Sequence, residues 1–560
     1  MLPIVPASER RTGSDGGGAR PAPDAPRAVD GAVDGAGRVR AAAAAAPSGS
    51  RHGTCSGAGA GYALGRFVIR HYRSSALLVL AVMACNVFVG LGTANVNDFD
   101  EARYGVSAFE MQQHRAPVVT TYAGQREVWA LKPPLGYWLM ALSMALFGGS
   151  ALAMRLPSAL CALVAVGVTM RWARRWFDRR LAILAGLVLA TTFGFISHHG
   201  ARSGDFDADL TLILLLAAVG LPGLGESPWQ VVRLAALLAC GFLLKSFAIA
   251  PMVLIAAGYL VWTGAWRRQR LLPWLAAGAL FAAIVGAWVL ARWQADGSPD
   301  FFLRMLREDV LQRSTSIVDK STSSPIGYVT GLFDRFAPWP LLLMAGAGMA
   351  WWRRGAGSAR RRPRREVAVL LALWAGVPLV FYSLVRTQHH WYLDPTYPAL
   401  AMLAAGSALL LVERSPLRLR ALALFGLVVL PLAFCEARLV ARVLLKPPSA
   451  DQRFLRALAP AVSGCGELRT TCRLVWSERF ILEVVDGFEV VEPAAAGTVA
   501  SPVPAAACLL VGKSVWRRPP APPADRLPAP DRLLAGSDAY ALYRGAGAAI
   551  SPARQPVMGQ

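Results

Sequence analysis

Four short stretches of this 560-residue chain carry residue types that can do chemistry together. The first reads Asn97-Asp98-Phe99-Asp100-Glu101-Ala102-Arg103-Tyr104. A carboxylate held by a nearby arginine can act as a base or steady a developing positive charge. A solvated loop with an internal ion pair is the plainer alternative. The second stretch is Lys132-Pro133-Pro134-Leu135-Gly136-Tyr137-Trp138. An interfacial lysine usually snorkels to water. Here a proline pair fixes its backbone and can start a helix, and a fixed ammonium suits a phosphate. The third runs from His198-His199 through Arg202-Ser203-Gly204-Asp205-Phe206-Asp207-Ala208-Asp209. Acids that open an apolar run also answer the helix dipole. Adjacent histidines cannot share one helical face, which argues against a metal there. The fourth runs from Arg386 through His389-His390-Trp391-Tyr392-Leu393-Asp394 to Pro398. It gathers an arginine, two histidines and an acid, although Trp391 and Tyr392 also suit an aromatic belt at a membrane boundary. Lys245 is a further lone cation, with a water-facing loop residue as its plain reading.

These stretches lie between long apolar runs, and a helix needs roughly 20 such residues to cross a bilayer. The runs are 75–95, 155–172, 181–198, 208–224, 231–246, 249–265, 271–291, 337–352, 366–385, 395–412 and 420–436. The run 135–147 is shorter and sits between Pro134 and Gly148, so it is expected to lie in the interface. With that run left out of the count, the arginine clusters 171–180, 267–270, 353–365 and 414–420 all fall on one face, as cytoplasmic loops require. The four chemical stretches then share the opposite face. The expected fold is an all-α polytopic membrane protein of about 11 transmembrane helices plus an interfacial helix in the first periplasmic loop. A small C-terminal α/β periplasmic domain follows.

Composition agrees. Apolar residues make up 55% and charged ones 17%, below the roughly one quarter of soluble domains. The net charge of +23 raises the question of nucleic acid, but much of the arginine lies in clusters between apolar runs and not in one basic face. Three regions follow: 1–65 as a disordered tail, 66–436 as the transmembrane domain and 437–560 as the periplasmic domain. In the last, Cys472–Trp476, Phe480–Val485 and Ala507–Val511 read as strands, and Cys465 and Cys472 can pair in an oxidising compartment. There is no CxxC, P-loop or dinucleotide fingerprint.

Taken in order, Asp-Glu-x-Arg-Tyr, Lys-Pro-Pro-Leu-Gly-Tyr-Trp, Arg155-Leu156-Pro157-Ser158, Arg202 with Asp207, and Tyr392 through Pro398 resemble the bacterial aminoarabinose-transferase and protein O-mannosyltransferase-like group of GT-C membrane glycosyltransferases. The resemblance spans about 75–436 and includes Tyr328 and Pro338-Trp339. It implies a glycosyltransferase with a polyprenyl-phosphate sugar donor, a lipid or glycan acceptor and a periplasmic active site in the inner membrane. Lipopolysaccharide modification is one outlet. It implies Asp100 as catalytic residue, with Glu101 beside it. Arg103, Lys132, Lys245 and Arg386 are then the donor-phosphate cations. Tyr104, Tyr137, Arg202, Asp207, His390 and Tyr392 line the substrates. No cofactor is required, and room is left for a divalent metal. Two departures stand out: Leu131 replaces the usual glutamate before Lys-Pro-Pro, and Lys245-Ser246-Phe247 replaces Lys-Gly-Pro. The alternatives are a lipid-linked saccharide transporter or flippase and a protein O-glycosyltransferase.

Overall fold

The computed structural model describes residues 67–127, 130–318, 324–352, 365–458, 465, 467–471, 473–492, 507–512 and 533–544. All of them belong to one compact unit. The expected disordered tail, 1–65, lies outside the described residues, as does Cys472.

Each of the eleven apolar runs contains helix, although 75–95 leaves its helix at Phe88 and 181–198 breaks after Ala190. Among the described residues, six helices are long and apolar enough to cross a membrane: Ala151–Trp176, Pro228–Thr263, Leu271–Asp296, Arg365–Ser383, His390–Arg414 and Leu417–Leu444. The count of about 11 is therefore not reached by length and composition. Two of the runs join into Pro228–Thr263, whose α-helical parts meet at a 3-10 turn over Ser246–Ile249. Others are only 12–17 residues long, such as Arg179–Ala190, Asp207–Gly220 and Tyr72–Phe88. Hydropathy counts a short buried helix and a spanning one alike. Arg179–Ala190 is wrapped by its neighbours, whereas Leu271–Asp296 has just 11% of its most apolar stretch covered and presents Leu271, Leu272 and Leu275 outward.

Local signals place the helix starts. Ser150 caps Ala151–Trp176 by accepting from the Ala153 N–H at 3.1 Å, and Asp178 caps Arg179–Ala190 through the Leu181 N–H at 2.8 Å. The short run forms helix Leu135–Phe147 after the proline pair and stops at Gly148, where φ is +79°. Leu142, Leu146 and Phe147 are exposed on it, while Tyr137, Met140 and Met144 face the core.

The C-terminal part holds a five-stranded mixed sheet. Glu467–Thr470 runs parallel to both Glu489–Val491 and Ala507–Gly512. Tyr540–Arg544 then pairs antiparallel with Ala507–Gly512 on one side and Leu533–Gly536 on the other. Leu468, Cys508, Leu510 and Leu542 share a core with Ile481, Leu482 and Phe488. Ala507–Val511 is a strand as expected. Phe480–Val485 is instead helical, continuing Trp476–Arg479. A short apolar run does not reveal its period, and here burial of Phe480, Ile481, Leu482 and Val484 is met by packing a helical turn on the sheet and on the first-loop helix. The cysteine pairing also differs: Cys465 is bridged to Cys508, with Cα atoms 5.8 Å apart, and not to Cys472.

Candidate active site

Asp100 opens the first-loop helix, Asp100–Gln113. The residue before it, Phe99, has φ +78°, a left-handed conformation costly for a bulky side chain. Two contacts hold that turn. Asp98 accepts from the Ser477 N–H at 3.0 Å, and the Phe99 ring meets Trp476 edge-on at 5.0 Å. The C-terminal domain therefore fixes the backbone that carries Asp100.

Glu101 faces the other way. Arg155 donates to it at 2.6 and 3.1 Å, the Asn97 N–H and amide each at 2.7 Å, and the Gly204 N–H at 2.9 Å. Its side chain is 0% exposed. Burial raises a carboxyl's pKa, but Arg155 and these donors outweigh it and hold Glu101 below the ordinary range. Arg155 also donates to the carbonyls of Leu91, Ala94 and Asn95. Ser158 donates to Asp209 at 2.7 Å and to the Asp205 carbonyl. The Arg-Leu-Pro-Ser motif thus ties the first loop to the 197–209 segment.

That segment meets Asp100. His199 has φ +62°, which turns the chain so that one donor atom each from Asp100, His199 and Asp205 lie within 4.8 Å of one another. His199 Nδ1 stands 3.3 Å from Asp205 and 3.6 Å from Asp207. Burial disfavours its cation, yet Asp205 and Asp207 outweigh burial and its pKa rises. Burial pushes Asp205 up to about 7, with His199 opposing and Asp100 adding to the rise. Arg103 pairs with Asp100 at 3.2 Å, and Lys245 lies 2.6 Å from both oxygens of Asp207. Tyr104 stacks on Phe206 at 4.7 Å, and Tyr137 meets both rings edge-on. Only glycine fits at 136, because a Cβ would stand 2.4 Å from the Phe206 ring. The Tyr137 hydroxyl is buried with no hydrogen bond.

A second cluster adjoins. Lys132 donates to Asp309 at 2.9 Å, Arg313 reaches the same carboxylate at 3.2 Å, and Arg313 donates to the Tyr392 hydroxyl at 3.3 Å. Burial works to raise Asp309, but Lys132 and Arg313 prevail and hold it low. Trp391 joins the clusters, its ring stacked between His199 at 3.6 Å and His389 at 4.4 Å.

Of the twelve residues expected from sequence, Asp100, Arg103, Tyr104, Tyr137, Lys132, Asp207, Lys245 and Tyr392 converge. His390 lies alongside, its ring 4.7 Å from Trp391. Three do not join. Glu101 is enclosed. Arg202 donates to the carbonyls of Asn86, Val87 and Val89, closing the end of Tyr72–Phe88. Arg386 is exposed, and no acid pairs with it among the described residues. His199, Asp205, Asp309, Arg313 and Trp391 belong to the site although sequence reasoning did not select them. The adjacent-histidine argument assumed helix, whereas 197–206 is irregular and only His199 turns toward the acids.

Residues 131–291 match the family model described as dolichyl-phosphate-mannose-protein mannosyltransferase. An undecaprenyl phosphate-alpha-4-amino-4-deoxy-L-arabinose arabinosyl transferase of Pseudomonas savastanoi is 30% identical over 405 residues, covering 70% of this chain and 71% of that protein. One of Pseudomonas fluorescens is 30% identical over 319 residues, with 54% and 52% covered, so the chain spans about half the length of that relative. Among solved structures, ArnT from Cupriavidus metallidurans bound to undecaprenyl phosphate superposes with TM-score 0.59 at 19% identity, covering 86% of this chain and 98% of that one. An oligosaccharyltransferase of Archaeoglobus fulgidus does so at 0.50 and 14%, covering 76% and 64%.

Proposed function

Because the chain belongs to the aminoarabinose-transferase group of GT-C glycosyltransferases, we propose that it moves a sugar from polyprenyl phosphate to an acceptor at the periplasmic face of the bacterial inner membrane. The observation that carries this reading is the convergence of Asp100 with a phosphate-ready pair, Lys132 and Arg313, around the Trp391 stack. The likeness to the Pseudomonas transferases supplies the donor class; lipid A and other envelope glycans are the acceptors to test. On this reading the arginine clusters 171–180, 267–270, 353–365 and 414–420 lie in the cytoplasm and the four chemical stretches on the outer side.

Breaking the anomeric C–O bond leaves negative charge on the phosphate. Lys132 and Arg313 both rest on Asp309, so an entering phosphate finds two cations already aimed at one oxyanion position and trades places with that carboxylate. Tyr392 sits on Arg313 and completes the donor cradle. Lys245 is neutralised by Asp207 and is placed to hold that loop, not to meet the phosphate. Asp100, with Arg103 on one side, takes the proton of a hydroxyl acceptor or faces the cationic anomeric carbon. Tyr104 and Tyr137 form the wall beside it, the free Tyr137 hydroxyl turned to sugar oxygens. Glu101 acts as scaffold.

Membranes containing Asp100→Asn are expected to lose transfer from labelled polyprenyl-phosphate sugar by about 10²–10⁴-fold with insertion unchanged. Near-normal turnover rejects the assignment.

A further inference from the structure

We propose that a cleft on the arginine-rich face, away from the candidate active site, holds the headgroup of an anionic phospholipid. The cleft measures about 680 Å³ and opens between the starts of helices Pro228–Lys245 and Leu271–Asp296. The two helices run side by side in the same sense, since Leu243 and Trp288, toward their far ends, share one apolar cluster. Neither start carries a side-chain cap. Two sets of backbone N–H groups without helical partners, each at the positive end of a helix dipole, therefore border one opening.

Arg268 and Arg270 line the same cleft. Arg268 is held in place, because its stem crosses Gly225, where a Cβ would stand 3.0 Å from Cδ and 3.4 Å from a guanidinium nitrogen. Gln269 anchors the connecting loop by donating to the Leu224 carbonyl at 2.8 Å. No acid lines the cleft, and among the described residues neither arginine forms an ion pair, with Glu226 of the adjoining turn or with any other acid. A phosphate meets two unpaired guanidinium groups there, whereas the ammonium of a zwitterionic headgroup finds no carboxylate. The apolar lining selects a lipid over a soluble anion. Trp229 is 68% and Leu272 73% exposed, and Leu271 and Leu275 continue the uncovered face of Leu271–Asp296. Acyl chains cover that face while Trp229 sits at the headgroup level. Basic pockets between membrane helices take anionic headgroups in this way. The proposed topology puts 267–270 in the cytoplasm and so assigns the lipid to the inner leaflet; the binding itself does not depend on that side.

The test is native mass spectrometry of the delipidated, detergent-solubilised full chain titrated with phosphatidylglycerol or phosphatidylcholine. One phosphatidylglycerol is expected to bind ahead of all others, and phosphatidylcholine to show no such first site. The double variant Arg268→Ala/Arg270→Ala is expected to weaken the first site about 10–100-fold, as for lost charged hydrogen bonds. Arg414→Ala/Arg418→Ala, in another arginine cluster, is expected to leave it unchanged. A phosphatidylglycerol with a photoreactive headgroup is expected to label 228–232 and 268–276 of the unmutated chain, and this decides if the variants do not fold. Equal binding of the two lipids, unchanged affinity in Arg268→Ala/Arg270→Ala, equal loss in both double variants, labelling confined to other segments, or displacement of the lipid by inorganic phosphate overturns the site. The measurement uses no sugar donor, so lipid binding and sugar transfer fail separately.

Discussion

Asp100 and Glu101 are chain neighbours with opposite surroundings, and two substitutions separate them. On the proposed function, Asp100→Asn is expected to remove transfer while the protein stays monodisperse. Glu101→Gln strands the buried Arg155 guanidinium; breaking a buried pair typically costs about 3–5 kcal/mol. It is expected to lower the melting temperature and yield before any kinetic effect is read. Calorimetry with size-exclusion chromatography checks this, and a Glu101→Gln protein as stable as the parent would move Glu101 back toward chemistry. For the phosphate cradle, Lys132→Ala and Arg313→Ala are each expected to raise the KM for the lipid-linked donor about 10–100-fold, the worth of a charged hydrogen bond of roughly 1.5–3 kcal/mol. Arg386→Ala, exposed and apart, should leave KM unchanged in the same assay.

At the scale of elements, close approach replaces hydropathy as the deciding force. Gly136→Ala puts a methyl 2.4 Å from Phe206, and Gly105→Ala puts one 2.5 Å from both Met154 and Phe480. Overpacking costs about 1–3 kcal/mol. Both variants are expected to melt several degrees lower, and Gly136→Ala to lose transfer as well, because Phe206 sits between Asp205 and Asp207. Thermal unfolding and donor turnover on the same preparations test the pair. The helices themselves were legible: every apolar run contains helix, and 135–147 matches its helix end to end, because apolar length between proline and glycine stops is a local property. The site was legible to the extent that motifs bring charged residues to one face. Asp309 and Arg313 were not, since nothing local in 297–336 reveals that Lys132 will reach it. His199 was missed for a different reason, a single backbone angle that reverses which neighbour it faces. Phe480–Val485 was misread as strand because its partners lie far off in sequence.

Over the whole molecule, the C-terminal domain grips the loop that carries Asp100. Arg456 donates to the carbonyls of Gly92, Thr93 and Ala94, and Gln452 pairs with the Val96 backbone in both directions. Phe480 fills the space over Gly105. Glu483 stands in the same contact, paired with Arg479 at 2.8 Å and 15% exposed. Burial pushes it up to about 7 from an ordinary 4.5, Arg479 opposing and Glu110 adding to the rise. The fold therefore keeps a proton that the unfolded chain releases at lower pH. Stability from this group is present below about pH 4.5 and is lost as pH climbs to about 7. The melting temperature is expected to fall across that window, and Glu483→Gln to flatten the fall. A parent and variant with the same pH profile would remove this group from the account.

The link between Cys465 and the central strand residue Cys508 carries a consequence for topology that no hydropathy plot can give. Dithiol bridges persist where the compartment oxidises them and are rare in a reducing cytosol. In intact cells, a membrane-impermeant reductant followed by an impermeant maleimide should tag Cys465, the more accessible partner, and the maleimide alone should not. Labelling only after lysis would turn the sheet, and with it the loop it clasps, toward the cell interior.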